Sequence, residues 1–168
     1  MHSPIYNFFT NDHRRLESIL ESAIIDINQI DLVLYHEFRV GILTHIKMEE
    51  KILFIAAQKA NKDVPIHYAP QLRLEHGAIT SLMVVPPTQK VIKVLKHVLA
   101  IHDEMEERNG GMYELCETLT QAQTNEIMEQ LKAVTMVPVH PFNTADYALE
   151  VAKRALLRAG YDFDKLVK

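Results

Sequence analysis

The chain has 168 residues, of which 48% are hydrophobic, and it carries a formal net charge of −4 at pH 7. This length fits one domain with a substantial core, and the absence of a basic block argues against a general nucleic-acid-binding protein. No stretch approaches the run of about 20 apolar residues that a membrane helix needs, so we expect no membrane partner. The first five residues lack the pattern of a secretory signal and the single Cys116 cannot form an internal disulfide, so we expect a cytoplasmic location.

Helical periodicity dominates the sequence, which shows no strand alternation. The first predicted helix has an apolar stripe over residues 9–27, with Asn11 or Asp12 available as its N-cap. The second predicted helix extends from about residue 29 to residue 60. Residues 61–70 contain two prolines and are predicted to form a loop.

Two further helices follow this loop. The third is predicted over residues 72–83 and is stopped by the prolines at 86–87. The fourth has its apolar stripe over residues 91–105. The sequence Asn-Gly-Gly at 109–111 is a strong helix stop or kink.

The remainder of the chain is predicted to be helical as well. Short helices are expected at 112–119 and 126–134, and a last amphipathic segment at 143–160. The apolar side of that segment comprises Ala145, Leu149, Ala152, Leu156 and Ala159. The prediction is therefore an all-α protein, an up-down four-helix bundle over residues 1–120 with additional C-terminal helices over residues 121–168.

Six polar residues stand in the predicted apolar stripes, where helix periodicity requires hydrophobic residues. They are His13, the pair His45 and Glu49, His76, and the pair His102 and Glu106. Burying such groups without partners costs several kcal/mol each, and a bound metal ion would compensate that cost most simply.

The spacing allows these residues to meet. Residues i and i+4 lie on one helix face, so each His-x-x-x-Glu pair can address one metal centre. In an up-down bundle, His13 and His45 both lie about 22 Å from the first loop, while the match between His76 and His102 is looser. Imidazole and carboxylate ligands suit iron, zinc or manganese, and the lack of cysteine among the candidates argues against a thiolate site.

Four segments together resemble the hemerythrin-like, or HHE cation-binding, domain family. They are Asn11-Asp12-His13, then His45-Ile46-Lys47-Met48-Glu49-Glu50 with Leu53-Phe54, then Glu75-His76, and then His102-Asp103-Glu104-Met105-Glu106-Glu107. Their order, spacing and context agree with the family over roughly residues 5–112. The chain from about residue 120 onward lies outside the resemblance.

The resemblance implies two oxo- or hydroxo-bridged iron ions inside an up-down four-helix bundle, with zinc or manganese as substitutes. Carried over by motif, the bridging ligands are Glu49 and Glu106. The terminal ligands are histidines in two pairs, His13 with His45 on one metal and His76 with His102 on the other.

Two departures from the family pattern affect the expected function. Oxygen-carrying members typically bear a second histidine four residues after the one in the third helix, and here that position is Thr80. With four histidines the metals could keep open positions, which resembles the subgroup linked to nitrosative stress and iron–sulfur repair more than the oxygen carriers. The second departure is the interruption at residues 108–111, which we expect to loosen the helix next to Glu106.

The leading functional hypothesis is a non-haem di-iron protein. It would interact with oxygen, nitric oxide or peroxide in redox or nitrosative stress handling, or in iron supply, and any enzymatic activity would be a redox reaction on peroxide or nitric oxide. One alternative is a metal-dependent sensor or binding module that signals through its C-terminal helices, which could also form a homodimer contact. The other is a metal-free structural bundle.

Several residues near the candidates receive simpler interpretations. Glu50, Glu75 and Glu107 are each rotated by about 100° from a presumed ligand, so we interpret them as solvated surface, with hydrogen bonding to the ligands as the alternative. Cys116 is interpreted as a buried small hydrophobe and Tyr113 as a core or site-shielding residue. Three further histidines, His36, His67 and His97, are assigned to the surface or to loops, and His140, between two prolines, is assigned a structural role at a break between helices.

Overall fold

The computed structural model describes residues 4–168, and within that range it contains helices but no strand, which confirms the all-α prediction for these residues. Residues 1–3, part of the segment in which we expect no secretory signal, lie outside the described residues. The α-helices are α1 (Pro4–Ala23), α2 (Leu32–Met48), α3 (Phe54–Ala60), α4 (Ala69–Leu82), α5 (Gln89–Glu107), α6 (Met112–Leu119), α7 (Thr124–Lys132), α8 (Asp146–Arg158) and α9 (Phe163–Leu166).

The N-cap prediction for the first helix is wrong. Because α1 is already helical at Pro4, Asn11 and Asp12 lie inside it and cannot cap its start. The helix also ends at Ala23, so Ile27 lies beyond it. An Asp or Asn placed within a helix offers its side chain to neighbouring elements instead, and Asp12 does this at the site described below.

The second predicted helix is one helical segment with a change of pitch. It begins at Leu32, where Asp31 caps it by accepting hydrogen bonds from the backbone N–H groups of Val33 and Leu34 at 2.9 and 3.1 Å. A single π-helical turn, Glu49–Leu53, joins α2 to α3. π-Turns inside α-helices are rare and frequently lie at functional sites, and this one begins at a candidate ligand.

The predicted stop after the fourth helix is confirmed. Helix α5 ends at Glu107, and Gly110 adopts a φ of +71°, which favours glycine. A Cβ atom on Gly111 would lie 2.7 Å from the carbonyl oxygen of Arg108, so the chain can only turn this tightly with glycine at this position. The turn leads directly into α6, whose bounds match the predicted 112–119.

The C-terminal region packs back on the molecule. Helix α8 packs against α4, and Ala152 and Leu156 are buried as predicted. Its buried face is rotated from the predicted one, because Ala148 and Ala155 are buried whereas Ala145 is exposed. The short helix α9 was not predicted. Within the described residues, no helix is both long enough and apolar enough to cross a membrane.

Two apolar clusters form the core, and the candidate ligands lie between them along the helices. The first cluster contains Leu16 and Leu20 of α1 and Val91, Leu95 and Val98 of α5. The second cluster comprises, among others, Ile5, Phe9, Met48, Leu53, Phe54, Leu72, Met112 and Tyr113. Along α1 and α4 the chain passes from the second cluster to the first, and along α2 and α5 it passes from the first to the second.

Candidate metal centre

All six residues that the sequence singled out are buried and come together between the two apolar clusters. Each is at most 4% exposed, and Glu49 and Glu106 are 0% exposed. Four helical segments contribute them: His13 lies on α1, His45 with Glu49 on α2 and the π-turn, His76 on α4, and His102 with Glu106 on α5.

These residues form two groups, each able to hold one metal ion. The atoms of the first subsite are His13 Nε2, His45 Nε2, Glu49 Oε1 and Glu106 Oε2. The atoms of the second subsite are His76 Nε2, His102 Nε2, Glu49 Oε2 and Glu106 Oε1. Within each group, one ligand atom from every residue lies within 4.8 Å of the others.

The distances within each subsite are short and similar. In the first, His45 Nε2 lies 3.3 Å from Glu49, and His13 Nε2 lies 3.3 Å from Glu106. In the second, His76 Nε2 lies 3.0 Å from Glu49 Oε2, and His102 Nε2 lies 3.2 Å from Glu106 Oε1. Ligands at right angles on a cation about 2.1 Å away are about 3 Å apart, so these spacings fit a shared ion.

Glu49 and Glu106 each divide their oxygens between the two subsites. In both carboxylates, one oxygen lies beside the His13–His45 pair and the other beside the His76–His102 pair. A carboxylate in this position can join two neighbouring cations, which is the way carboxylates hold di-metal sites inside helical bundles.

Three polar atoms at the second subsite lack hydrogen-bond partners. Among residues 4–168, Glu49 Oε2, His76 Nε2 and Glu106 Oε1 are buried without a hydrogen-bond partner. The short separation of His76 Nε2 from Glu49 Oε2 lacks the alignment of a hydrogen bond. Buried unpaired polar atoms are costly, and a metal ion coordinated by all three would satisfy them.

Each of the four histidines is oriented from behind by a carboxylate of a neighbouring helix. These orienting carboxylates are Asp12 on His45 Nδ1 at 2.8 Å, Glu50 on His76 Nδ1 at 2.6 Å, Glu75 on His102 Nδ1 at 2.8 Å and Glu107 on His13 Nδ1 at 2.6 Å. An ionised carboxylate only accepts hydrogen bonds, so Nδ1 carries the proton and donates it. In the neutral ring, this leaves the lone pair of Nε2 pointing into the site, as a metal ligand requires.

The interpretation of the acidic neighbours as solvated surface is therefore wrong. Glu75 is 0% exposed, and the side chains of Glu50 and Glu107 are about one-fifth exposed. A rotation of about 100° from the inward direction points a side chain at the adjacent helix rather than at solvent when helices pack on both sides. The alternative interpretation, hydrogen bonding to the candidate ligands, is correct for Glu50, Glu75 and Glu107.

The site is strongly charged when it holds no cation. Burial alone lowers the pKa of His13, but hydrogen bonds to Glu106 and Glu107 outweigh it and raise the pKa to about 10. Burial likewise lowers the pKa of His45, while Glu49 and Asp12 raise it to about 9. Burial raises the pKa of Glu49, but His45 and His76 bring it well below its usual value. In the metal-free protein the rings of His13 and His45 are thus protonated at neutral pH, and their protons supply positive charge that a metal ion would otherwise provide.

An orienting carboxylate should matter for affinity, and Glu75→Gln is the sharpest test. Glu75 accepts hydrogen bonds from His102 Nδ1 and from Tyr161 Oη at 2.8 Å, and it is fully buried. Glutamine keeps the shape but removes the charge that favours the Nδ1–H tautomer. We expect metal affinity to fall by about 10- to 100-fold in competition with a chromophoric chelator. The exposed Glu37→Gln on α2 is the control, and equal affinities of the two variants would contradict an orienting role.

One residue at the centre of the site was missed as a functional residue. Tyr113 of α6 is 0% exposed, and its Oη touches four atoms of the first subsite. Burial, with Glu106 and Glu49 nearby, raises its pKa well above the usual value, so the phenol keeps its proton in the metal-free protein. The sequence signal that could have identified it is its position two residues after the Gly110-Gly111 turn, which returns the chain toward Glu106.

The expected loosening beside Glu106 is not observed. Glu106 is fully buried, and the turn at Gly110 and Gly111 closes the site with α6 rather than opening it. Thr80 is exposed, so the position at which oxygen carriers bear a further histidine does not face the site in this chain.

The remaining candidates behave as predicted. Cys116 is buried, and burial raises the pKa of its thiol, so it is not a reactive thiolate. Four histidines outside the site are exposed: His36, His67, His97 and His140.

A cleft between α1, α2 and α5 reaches the first subsite. Its volume is about 160 Å³, and its lining includes the apolar side chains of Leu16, Phe38 and Ile42 together with His13 and Asp103. Asp103 Oδ1 lies 3.7 Å from His13 Nε2. The cleft therefore places open space beside the candidate ligand His13.

Comparisons of the chain with known protein families, with curated proteins and with solved structures found no match.

Proposed function

We propose that the chain is a hemerythrin-type protein that binds two iron ions and interacts with oxygen, nitric oxide or peroxide. The observation that carries this proposal is the division of Glu49 and Glu106, each with one oxygen at each histidine pair. The function would lie in redox or nitrosative stress handling or in iron supply. Iron bound there would supply coordination positions and electrons for a small ligand.

The proposal includes an up-down four-helix arrangement of α1, α2, α4 and α5. Its support is the alternating direction in which these helices pass between the two apolar clusters, with the candidate ligands at the midpoint of each. The division into residues 1–120 and 121–168, the cytoplasmic location and a homodimer through the C-terminal helices stay predictions.

Iron is the preferred metal in this proposal, with zinc or manganese as substitutes. The donors are imidazole and carboxylate, and the only cysteine in the chain, Cys116, is not among them. The atoms Glu49 Oε2, His76 Nε2 and Glu106 Oε1, which lack hydrogen-bond partners, weigh against the metal-free structural bundle, because only ion pairs between histidines and carboxylates would offset their burial there.

Different residues of the site have different roles in this proposal. Glu49, Glu106 and the four histidines hold the metals, and the orienting carboxylates maintain the Nδ1–H tautomer. Apolar side chains on both sides exclude water, while the cleft beside His13 admits small molecules.

The direct test is the metal content of untagged protein produced in iron-supplemented medium, with an absorption spectrum recorded before and after addition of peroxide or nitric oxide. We expect about two irons per chain and a near-ultraviolet band that responds to the added ligand. Protein without iron, or with one zinc and no spectral response, would overturn the proposal.

Metal binding should release protons at neutral pH. The pKa values of His13 and His45 are raised in the metal-free protein to about 10 and about 9, so both rings must lose a proton before Nε2 can bind a cation. Affinity should therefore rise with pH until these values are passed, by about tenfold per pH unit for each proton displaced. A pH electrode in weakly buffered solution measures the release on addition of zinc, and a pH-independent affinity between 6 and 8 would contradict the raised pKa values.

A second function, a metal-dependent sensor, is favoured by one contact. Tyr161, beyond α8, donates a hydrogen bond to Glu75 at 2.8 Å, and Glu75 orients His102. The C-terminal region is thereby joined to a candidate ligand through a single carboxylate. If the tail reports on the site, amide hydrogen exchange around residue 161 should slow when metal binds, and unchanged exchange there would exclude this role.

A further inference from the structure

The position of the Tyr113 hydroxyl is the feature that the proposed di-iron site does not explain. Its Oη lies 3.1 Å from His13 Nε2, 3.2 Å from His45 Nε2, 2.5 Å from Glu49 Oε1 and 3.0 Å from Glu106 Oε2. These four neighbours are the four atoms of the first subsite, so the phenol oxygen is adjacent to all of them.

Hydrogen bonding cannot satisfy this arrangement once the imidazoles are neutral. A phenol has one O–H donor, and both carboxylate oxygens only accept, so Tyr113 can serve either Glu49 or Glu106 but not both. Because the orienting carboxylates hold the proton of each ring at Nδ1, the inward Nε2 atoms of His13 and His45 present lone pairs as well. Four acceptors then surround one hydroxyl, and a cation bound by the neutral rings would take the place of the Nε2 protons that the metal-free protein holds there.

The spacing is that of ligands around one ion. All four distances from Oη lie between 2.5 and 3.2 Å, close to the separation of about 3 Å between neighbouring ligands on a cation about 2.1 Å away. A phenol that merely shielded the site would need only one polar partner, whereas the Tyr113 hydroxyl, although nearest to Glu49 Oε1, lies within 3.2 Å of all four atoms.

The backbone and packing around Tyr113 hold the hydroxyl in place. The tight turn at Gly110 and Gly111 brings α6 back over the end of α5, seven residues after Glu106 in the chain. The Tyr113 ring stacks on Phe9 with 5.1 Å between centroids and contacts Tyr6 edge-on at 6.3 Å. Because packing on two sides already fixes the ring, Tyr113 loses no further side-chain entropy when Oη binds a metal ion.

We propose that Tyr113 Oη is a fifth protein ligand of the metal ion held by His13 and His45. This inference rests on the proposed di-iron function. To hold a ferric ion, Tyr113 would give up its hydroxyl proton to bulk water and bind through Oη as phenolate, an exchange of a proton for the ion with no change of oxidation state. Phenolate is a hard, anionic oxygen donor, and it adds a negative charge that favours the ferric over the ferrous state.

The two subsites are then unequal. With Tyr113 the first subsite has five protein ligands, whereas the second has four among residues 4–168, His76, His102 and the two shared carboxylates. The first subsite, which the cleft beside His13 reaches, therefore has one open coordination position fewer than the second.

The test compares wild-type protein, Tyr113→Phe and Tyr35→Phe after loading with ferrous ion and oxidation by air. Tyr35 is the matched control, because it is equally buried and its hydroxyl has no hydrogen-bond partner among the described residues. Iron content is measured for each protein, followed by visible absorption and by resonance Raman spectra excited within any visible band.

We expect a visible phenolate-to-iron charge-transfer band with enhanced tyrosine ring vibrations in the wild type and in Tyr35→Phe. The band should be lost in Tyr113→Phe, while iron at the second subsite remains. Wild-type protein that binds two irons without tyrosine vibrations would overturn the ligand role and leave the di-iron function standing, and this result needs no variant. A band that persists in Tyr113→Phe would overturn it too, and wild-type protein that binds no iron would overturn both.

Discussion

Glu49→Gln is expected to abolish metal binding at both subsites, from about two irons per chain to none. Glu49 places Oε1 beside the His13–His45 pair and Oε2 beside the His76–His102 pair. Among the described residues, only Glu49 and Glu106 belong to both subsites. Glutamine preserves the volume but removes the negative charge, and its amide nitrogen is not a ligand. Elemental analysis of the purified variant, with circular dichroism to show that helix content is kept, makes the measurement.

Glu37→Gln provides the control for this experiment, since Glu37 lies on the same helix but is exposed. It should keep its full iron content. His102→Ala offers a graded comparison, because it removes a ligand of the second subsite only and should leave the first metal bound. If Glu49→Gln retained iron at either subsite, the bridging role of its carboxylate would be wrong.

Metal loading is expected to produce the second large effect, a rise in the melting temperature. A ligand that binds only the folded protein stabilises it by about 2.7 kcal/mol when its free concentration is about 100-fold above the dissociation constant. For a chain of 168 residues this corresponds to a rise of about 5–10 °C for each occupied subsite. The physical reason is that the cation compensates the buried carboxylates and the unpartnered atoms Glu106 Oε1 and His76 Nε2.

Calorimetry of metal-free and iron-loaded protein measures this shift. The variant Glu49→Gln should melt at the same temperature with and without iron, which separates specific binding from a general effect of the ion. Identical melting temperatures for the two forms of the wild type would mean that the buried acids and histidines are compensated without metal.

The inward ligand positions could be derived from the sequence with few assumptions. His45 and Glu49 lie four residues apart on an apolar stripe, and so do His102 and Glu106, and a helix of 3.6 residues per turn places such pairs on one face. Strong local stops, such as Gly110-Gly111, likewise defined where the fourth helix ends. These features depend on neighbours within one or two turns, which the sequence displays directly.

The sequence predicts less well where a helix starts and whether the residues next to the candidate ligands are buried. Asp is a favoured N-cap residue, so the sequence predicts a helix start near Asp12, but the helix already extends back to Pro4. The rotation of Glu75 away from the inward face predicts a solvated side chain, yet packing of α4 against α5 and against α8 buries it. Whether the side of a helix next to its inward face is exposed to water depends on which other helices pack against it.

The sequence by itself therefore determined an all-helical chain and the six inward polar residues, because both follow from periodicity along single helices. Only the tertiary structure decided which side chains support these residues. The hydrogen bonds of His45 with Asp12 and of His13 with Glu107 span 33 and 94 residues, and the contact of Tyr113 with His13 spans 100. Contacts over such separations depend on how helices dock against each other, and no local pattern in the chain encodes that geometry.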